Sequence, residues 1–141
     1  MPPSPPRGGP FNPGFLRMHE PYIGPYGELT RGREFVAKER ERIALDYCAA
    51  HDVRLNFIGA GYADHDGFLA NAEALAARTP IRHRRWILQH NYLCTHEQAR
   101  RYAELGFVVT TSMSFSCAKG DLFEKRIGSH VWGCLLYTSP S

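Results

Sequence analysis

The side chains best suited to chemistry in this sequence sit at the ends of short apolar runs. His90 closes the run Trp86-Ile87-Leu88-Gln89, and an imidazole at a strand end can ligate a metal or carry protons. Asn56 lies near the end of the run Val53-Arg54-Leu55-Asn56-Phe57-Ile58. Asp64-His65-Asp66 follows the turn signal Gly59-Ala60-Gly61. It suits a metal or substrate loop as well as a helix start with solvated charges. Thr110, Thr111, Ser112 and Ser114 lie at and beyond a third apolar run that begins at Phe107. The basic cluster Arg82-His83-Arg84-Arg85 precedes a strand, where a structural role is expected. No nucleophile elbow, HExxH, P-loop or His-x-His occurs. Gly59-Ala60-Gly61 makes only a weak dinucleotide signal, because Asp64 stands where the third glycine is required.

Positioning these groups requires alternating helices and strands. Residues 34–51 read as an amphipathic helix with Val36, Ile43, Tyr47 and Ala50 on its inner face and the Lys38-Glu39-Arg40-Glu41-Arg42 run in water. A strand over 53–58 follows. Asp66 is placed to cap a helix over 67–78 whose apolar face is Phe68, Ala72 and Leu75. A strand over 86–90 leads to a helix that Thr95 and Gln98 start as a capping box. Its inner residues are Ala99, Tyr102 and Ala103, and Gly106 is its left-handed cap. The last strand covers 107–112. The strands are apolar throughout, which predicts a parallel sheet covered by helices. That pattern fits an open doubly wound sheet or part of a (β/α)8 barrel, and in both the site lies at the carboxyl ends of the strands.

Composition narrows the function classes. The chain has 141 residues and a net charge of +3, too small an excess for a dedicated nucleic-acid partner. No apolar run reaches the roughly 20 residues of a membrane span, and Met1 to Pro10 lacks the apolar core of a signal peptide. Cys48, Cys94, Cys117 and Cys134 form no CxxC pair and read as reduced thiols, so a cytoplasmic location is expected. Eight of the ten prolines lie at or before Pro25, so residues 1–33 read as a loop segment. The ending Cys-Leu-Leu-Tyr-Thr-Ser-Pro-Ser matches a translated transposon-end sequencing adapter (TGT CTC TTA TAC ACA TCT CCG AGC). Residues 134–141 are therefore expected to be a non-natural tail, with the domain proper over 34–133.

Several of these stretches together resemble the amidohydrolase superfamily, in its third group of predicted metal-dependent hydrolases. His19-Glu20-Pro21-Tyr22 looks like the Glu-Pro-Tyr after that family's fourth strand. Leu55-Asn56-Phe57-Ile58-Gly59 is similar to the fifth-strand motif His-x-x-Gly-Asp. Trp86-Ile87-Leu88-Gln89-His90 is similar to the sixth-strand Arg-Ile-Glu-His, with the ligand histidine falling on His90. Ala103-Glu104-Leu105-Gly106 resembles the step into strand seven. The resemblance covers most of residues 19–128.

It implies an α/β fold that is a partial (β/α)8 TIM barrel, about strands five to seven with their helices. It implies a hydrolase acting on amide, imide or ester bonds of a small-molecule substrate through water activated by a divalent metal, zinc by expectation, with His90 as ligand. Asn56 replaces the family's metal-binding histidine and Ala60 its aspartate. The lost ligand admits a subgroup with another in its place, and His65 is near enough in sequence to be that ligand; Asn56 is expected beside the metal or the substrate, and Thr111 and Ser112 along the pocket. The departures also admit a metal-free ligand-binding or scaffold relative. The first-strand His-x-His and the general-base aspartate of strand eight have no counterpart here, so the chain alone is expected to be inactive. A homo-oligomer and a small free-standing doubly wound domain stay open at this point.

Overall fold

The computed structural model describes residues 16–24, 26–34, 36–111 and 114–133. Ser112 and the expected tail over 134–141 lie outside the described residues. Within the stretch read as a loop, β1 (Tyr22–Ile23) and β2 (Leu29–Thr30) form a small antiparallel hairpin. Prolines flank these two strands rather than interrupt them, which is where a residue without an amide donor is tolerated. Then come α1 (Lys38–Ala50), β3 (Asn56–Ile58), α2 (Tyr62–Ala76), a 3₁₀ turn (Arg82–Arg84), β4 (Ile87–Gln89), α3 (His96–Glu104), β5 (Val108–Val109), α4 (Ser114–Ile127) and α5 (Ser129–Gly133).

The main sheet runs β3-β4-β5 and is parallel throughout, as the unbroken apolar runs predict. Asn56 pairs with Ile87, Phe57 with Leu88 and Ile58 with Gln89. The described strands do not close a barrel, and three strands with their crossover helices are what a partial domain would show. β5 is only two residues long, shorter than the expected 107–112.

The core lies between the sheet and α1, α2 and α3. Phe68, Leu69, Ala72, Leu75, Trp86, Leu88, Cys94 and Tyr102 are buried in it. α1 turns a different face inward from the one its spacing suggested. Leu45, Cys48 and Ala49 are buried, while Val36, Ile43 and Tyr47 are more than half exposed. The helix carries two apolar stripes, and the stripe of smaller residues is the one that lets α1 approach α2.

α2 starts five residues earlier than expected. Gly61 is its N-cap, and the Asp64 carboxylate accepts the Gly61 N–H at 3.2 Å. Asp64, His65 and Asp66 are therefore helical rather than a loop. Gly61 is required by crowding, because an added Cβ would strike the Arg17 carbonyl, which itself accepts the Ala63 N–H at 3.1 Å. The Thr95–Gln98 capping box forms as predicted.

Gly106 ends α3 at φ +80°, with its missing Cβ facing the Arg82 carbonyl. Gly106→Ala combines left-handed strain with that collision. We expect it to cost about 2 kcal/mol or more, read as a lower denaturation midpoint at unchanged m-value. An unaltered midpoint would place the turn elsewhere.

Both long edges of this sheet are bare of strand partners among the described residues, and large apolar side chains stand exposed at Ile58 on β3 and at Ile43 and Tyr47 on α1. Unpaired edges template association. The isolated chain is expected to sediment as a concentration-dependent mixture, and Ile43→Lys with Tyr47→Lys is expected to reduce the larger species. A monodisperse monomer in the unsubstituted chain would remove this expectation.

Candidate functional site

One hydrogen-bonded chain joins two of the sequence-flagged residues: Asn56, which opens β3 rather than lying near its end as the sequence run suggests, and His90, just past the carboxyl end of β4. The register that pairs Ile58 with Gln89 puts Asn56 and Gln89 on the same face of the sheet, the face away from the helices. The Asn56 side-chain amide donates to Gln89 Oε1 at 2.8 Å. Gln89 Nε2 lies 3.4 Å from His90 Nε2. Gln89 is thus the link between Asn56 and His90, and sequence reasoning passed over it as part of an apolar run. The signal was present in the alternation of Asn56, Ile58, Ile87 and Gln89 on one face.

His90 follows β4 immediately and adopts φ +68°; Asn91 (+40°) and Leu93 (+44°) are left-handed too. Non-glycine residues held there carry strain of about 1–3 kcal/mol each, which folds tolerate most often at functional sites. The turn is tied to β5 by the His90 N–H, which donates to Thr110 Oγ1 at 3.2 Å. Asn91 is buried, and its side-chain oxygen has no hydrogen-bond partner among the described residues. Thr111 is exposed just beyond Thr110.

His65 is placed differently. It is fully buried on α2, with Nδ1 2.9 Å from the Tyr102 hydroxyl and Nε2 2.8 Å from the Tyr92 carbonyl. The carbonyl can only accept, so Nε2 donates to it and Nδ1 accepts from the hydroxyl. Both nitrogens are spent, and burial pulls the imidazole pKa down to about 4. In this arrangement His65 is a neutral core residue with no nitrogen left for a metal.

A cleft of about 220 Å³ opens beside β3, between α1 and the start of α2. Leu45, Leu55, Phe57 and Phe68 floor it, and Glu41 and Asp64 reach its rim. Burial pushes the Asp64 carboxyl up to about 6, partly offset by the Gly61 N–H and by Arg17. Burial also raises Glu41. The half-buried Asp64 and the buried His65 oppose each other. Lowered His65 stabilises the fold above about pH 6.5, a contribution lost as pH falls toward 4. Raised Asp64 stabilises it below about pH 4, a contribution lost as pH rises through 6. Asp64→Asn removes the second and is expected to steepen the loss of stability between pH 6 and 4. An acid limb unchanged by that substitution would refute the offset.

The donor set does not make a metal site by itself. Among the described residues, no three His, Cys, Asp or Glu side chains are grouped to hold an ion. His90 supplies one imidazole, with an amide rather than a carboxylate beside it. Cys48 and Cys94 are free and buried, and burial raises both thiols, Cys94 to about 12. No helix among the described residues is long and apolar enough to cross a membrane.

No family model matches the chain, and no curated protein matches it. Two solved structures share its fold. One is an uncharacterized metal-dependent hydrolase from Pyrococcus furiosus, with a TM-score of 0.67 and 18% identity over 87% of this chain. The other is an uncharacterized metal-dependent hydrolase from Pyrococcus horikoshii, with a TM-score of 0.68 and 15% identity over 87% of this chain. The chain spans 24% and 23% of the lengths of those two proteins.

Proposed function

We propose that the chain is part of a metal-dependent hydrolase of the amidohydrolase type, contributing about strands five to seven of a (β/α)8 barrel. The substrate class of this reading is a small molecule with an amide, imide or ester bond. The observation that carries it is the position of His90. It stands at the carboxyl end of the central strand of a parallel three-stranded sheet, in a fold shared with two metal-dependent hydrolases. A parallel α/β sheet collects its chemistry at that end. A divalent metal, zinc in this reading, would need ligands beyond those that the described residues provide. Asn56 and Thr111 are assigned to the substrate side of the site, Ser112 with them, and His65 to its structural support.

The test is metal content of the protein encoded by the complete reading frame at the source locus. Bound zinc near one or two equivalents, reduced by His90→Ala, supports the hydrolase. The chain of 141 residues alone is expected to bind zinc no better than micromolar and to show no amidase or esterase turnover. One observation favours a second reading, a metal-free binding or scaffold barrel: His90 Nε2 faces the Gln89 amide, itself engaged by Asn56. A complete protein free of metal, in which His90→Ala changes nothing, establishes that second reading instead.

A further inference from the structure

We propose that His19, Asp66 and Gln98 form a proton-accepting site at the carboxyl end of the sheet, for a small molecule that presents an acidic O–H or N–H. These residues lie outside the Asn56–Gln89–His90 chain, and the proposal stands whether or not a metal is used there.

Gln98 is the anchor. It lies in the first turn of α3 and is buried. Its Oε1 accepts the Thr95 N–H at 3.1 Å, and its Nε2 donates to the Tyr62 carbonyl and to Asp66 Oδ1, both at 2.7 Å. The side-chain amide is fully spent and cannot turn without stranding a buried polar group. Asp66 is thereby fixed by one carboxylate oxygen. Arg101 Nη1 forms an ion pair with that same oxygen at 3.6 Å, while its Nε and Nη2 donate to Glu73 at 2.7 and 2.8 Å.

The other oxygen, Asp66 Oδ2, meets His19 Nε2 at 2.7 Å. A carboxylate only accepts, so the hydrogen sits on Nε2 and the Nδ1 lone pair is displayed. Nδ1 has no partner among the described residues, and the His19 side chain is 54% exposed. The ring is steadied by the Tyr62 ring, edge-on at 5.0 Å. Its backbone is held by Arg31 Nε, which donates to the His19 carbonyl at 2.9 Å. An ordinary surface ion pair joins two mobile side chains and is worth little. Here a buried amide orients a carboxylate, which orients an imidazole, the arrangement that prepares a histidine to take a proton. Tyr62 opens α2 after β3, and Gln98 opens α3 after β4, so the pair sits on the sheet's carboxyl side. In the step itself, the ligand O–H or N–H bond breaks and a proton–Nδ1 bond forms. The ligand keeps the electron pair as an anion, and Asp66 balances the imidazolium charge.

Two readouts on the full chain test this. Long-range ¹H–¹⁵N spectra at pH 8 should show His19 as a single Nε2–H tautomer, and as a mixture in Asp66→Asn. Diethyl pyrocarbonate at pH 8 should acylate His19 several-fold faster than His51 and His83, with the excess lost in Asp66→Asn and the His19 adduct absent in His19→Gln. If the pair were only a clip holding the hairpin to α2, breaking it would free the ring. Acylation in Asp66→Asn would then stay level or rise, and that result overturns the proposal. Should Asp66→Asn not fold, a mixed tautomer in the unsubstituted chain overturns it equally, and a single Nε2–H tautomer supports it.

Discussion

His65→Ala is expected to remove about 3–5 kcal/mol of unfolding free energy at pH 7.5, enough to leave much of the chain unfolded. The substitution opens a cavity at a fully buried site. It also strands the Tyr102 hydroxyl and the Tyr92 carbonyl, which the ring bonds at 2.9 and 2.8 Å. Urea unfolding followed by circular dichroism measures the loss. His65→Phe restores most of the volume but neither hydrogen bond, so it should recover only part of the stability. The same pair of variants tests the pH argument. The neutral ring is required because its pKa falls from 6.5 to about 4 on folding. The folded state thus binds fewer protons than the unfolded chain between those values, and stability drops by about 3 kcal/mol as pH falls through that window. His65→Phe has nothing to protonate there and should lose that part of the acid dependence. If it keeps the full acid limb, His65 is not the group responsible.

His65 also shows what the sequence carried and where it stopped. Residues 65, 68, 69, 72 and 75 make a regular inward stripe on α2, all buried. Counting only apolar letters leaves His65 off that stripe and starts the helix after it. Asp66 then reads as the cap, whereas Gly61 is the N-cap and Asp64 answers it. The order of elements from α1 to β5, the parallel sheet, the Thr95 capping box and the Gly106 terminus were legible because each has a local cause, whereas α4 and α5 were not read from the sequence. The inward face of α1 was not, because two apolar stripes compete and only the packing against α2 decides between them. Hairpin β1–β2 was hidden by proline content, which averages over a stretch while pairing needs only four residues. In the candidate site, His90 stood out by type and position. Gln89 did not, since its role exists only when β3 aligns with β4 and brings Asn56 within 2.8 Å. Likewise His19 and Asp66 are 47 residues apart and meet only through the fold.

Phe68→Ala is the second large effect expected, about 3–5 kcal/mol, and it bears on the site as well as on stability. Phe68 is 2% exposed and stacks on Phe57 with centroids 3.7 Å apart and planes 8° from parallel. Phe107 meets it edge-on at 5.7 Å. Phe57 is the middle residue of β3, and its side chain points to the helices while its neighbour Asn56 points to the opposite face. The stack therefore fixes the height and tilt of β3 against α2, and with them the Asn56–Gln89–His90 chain on the far side. Removing Phe68 should loosen that chain without touching any of its members. Amide hydrogen exchange should rise first in the β3–β4 pairing, at Ile87 and Gln89, before the α3 amides change. Phe57→Ala alone should cost less, because Phe57 is only partly buried. The double substitution should fall short of the sum by about 1 kcal/mol, the coupling an aromatic pair carries beyond its buried area. Strict additivity would mean that the two rings stabilise the fold independently. The route from helix packing to the sheet's chemical face would then have to run through the backbone pairing of β4 instead.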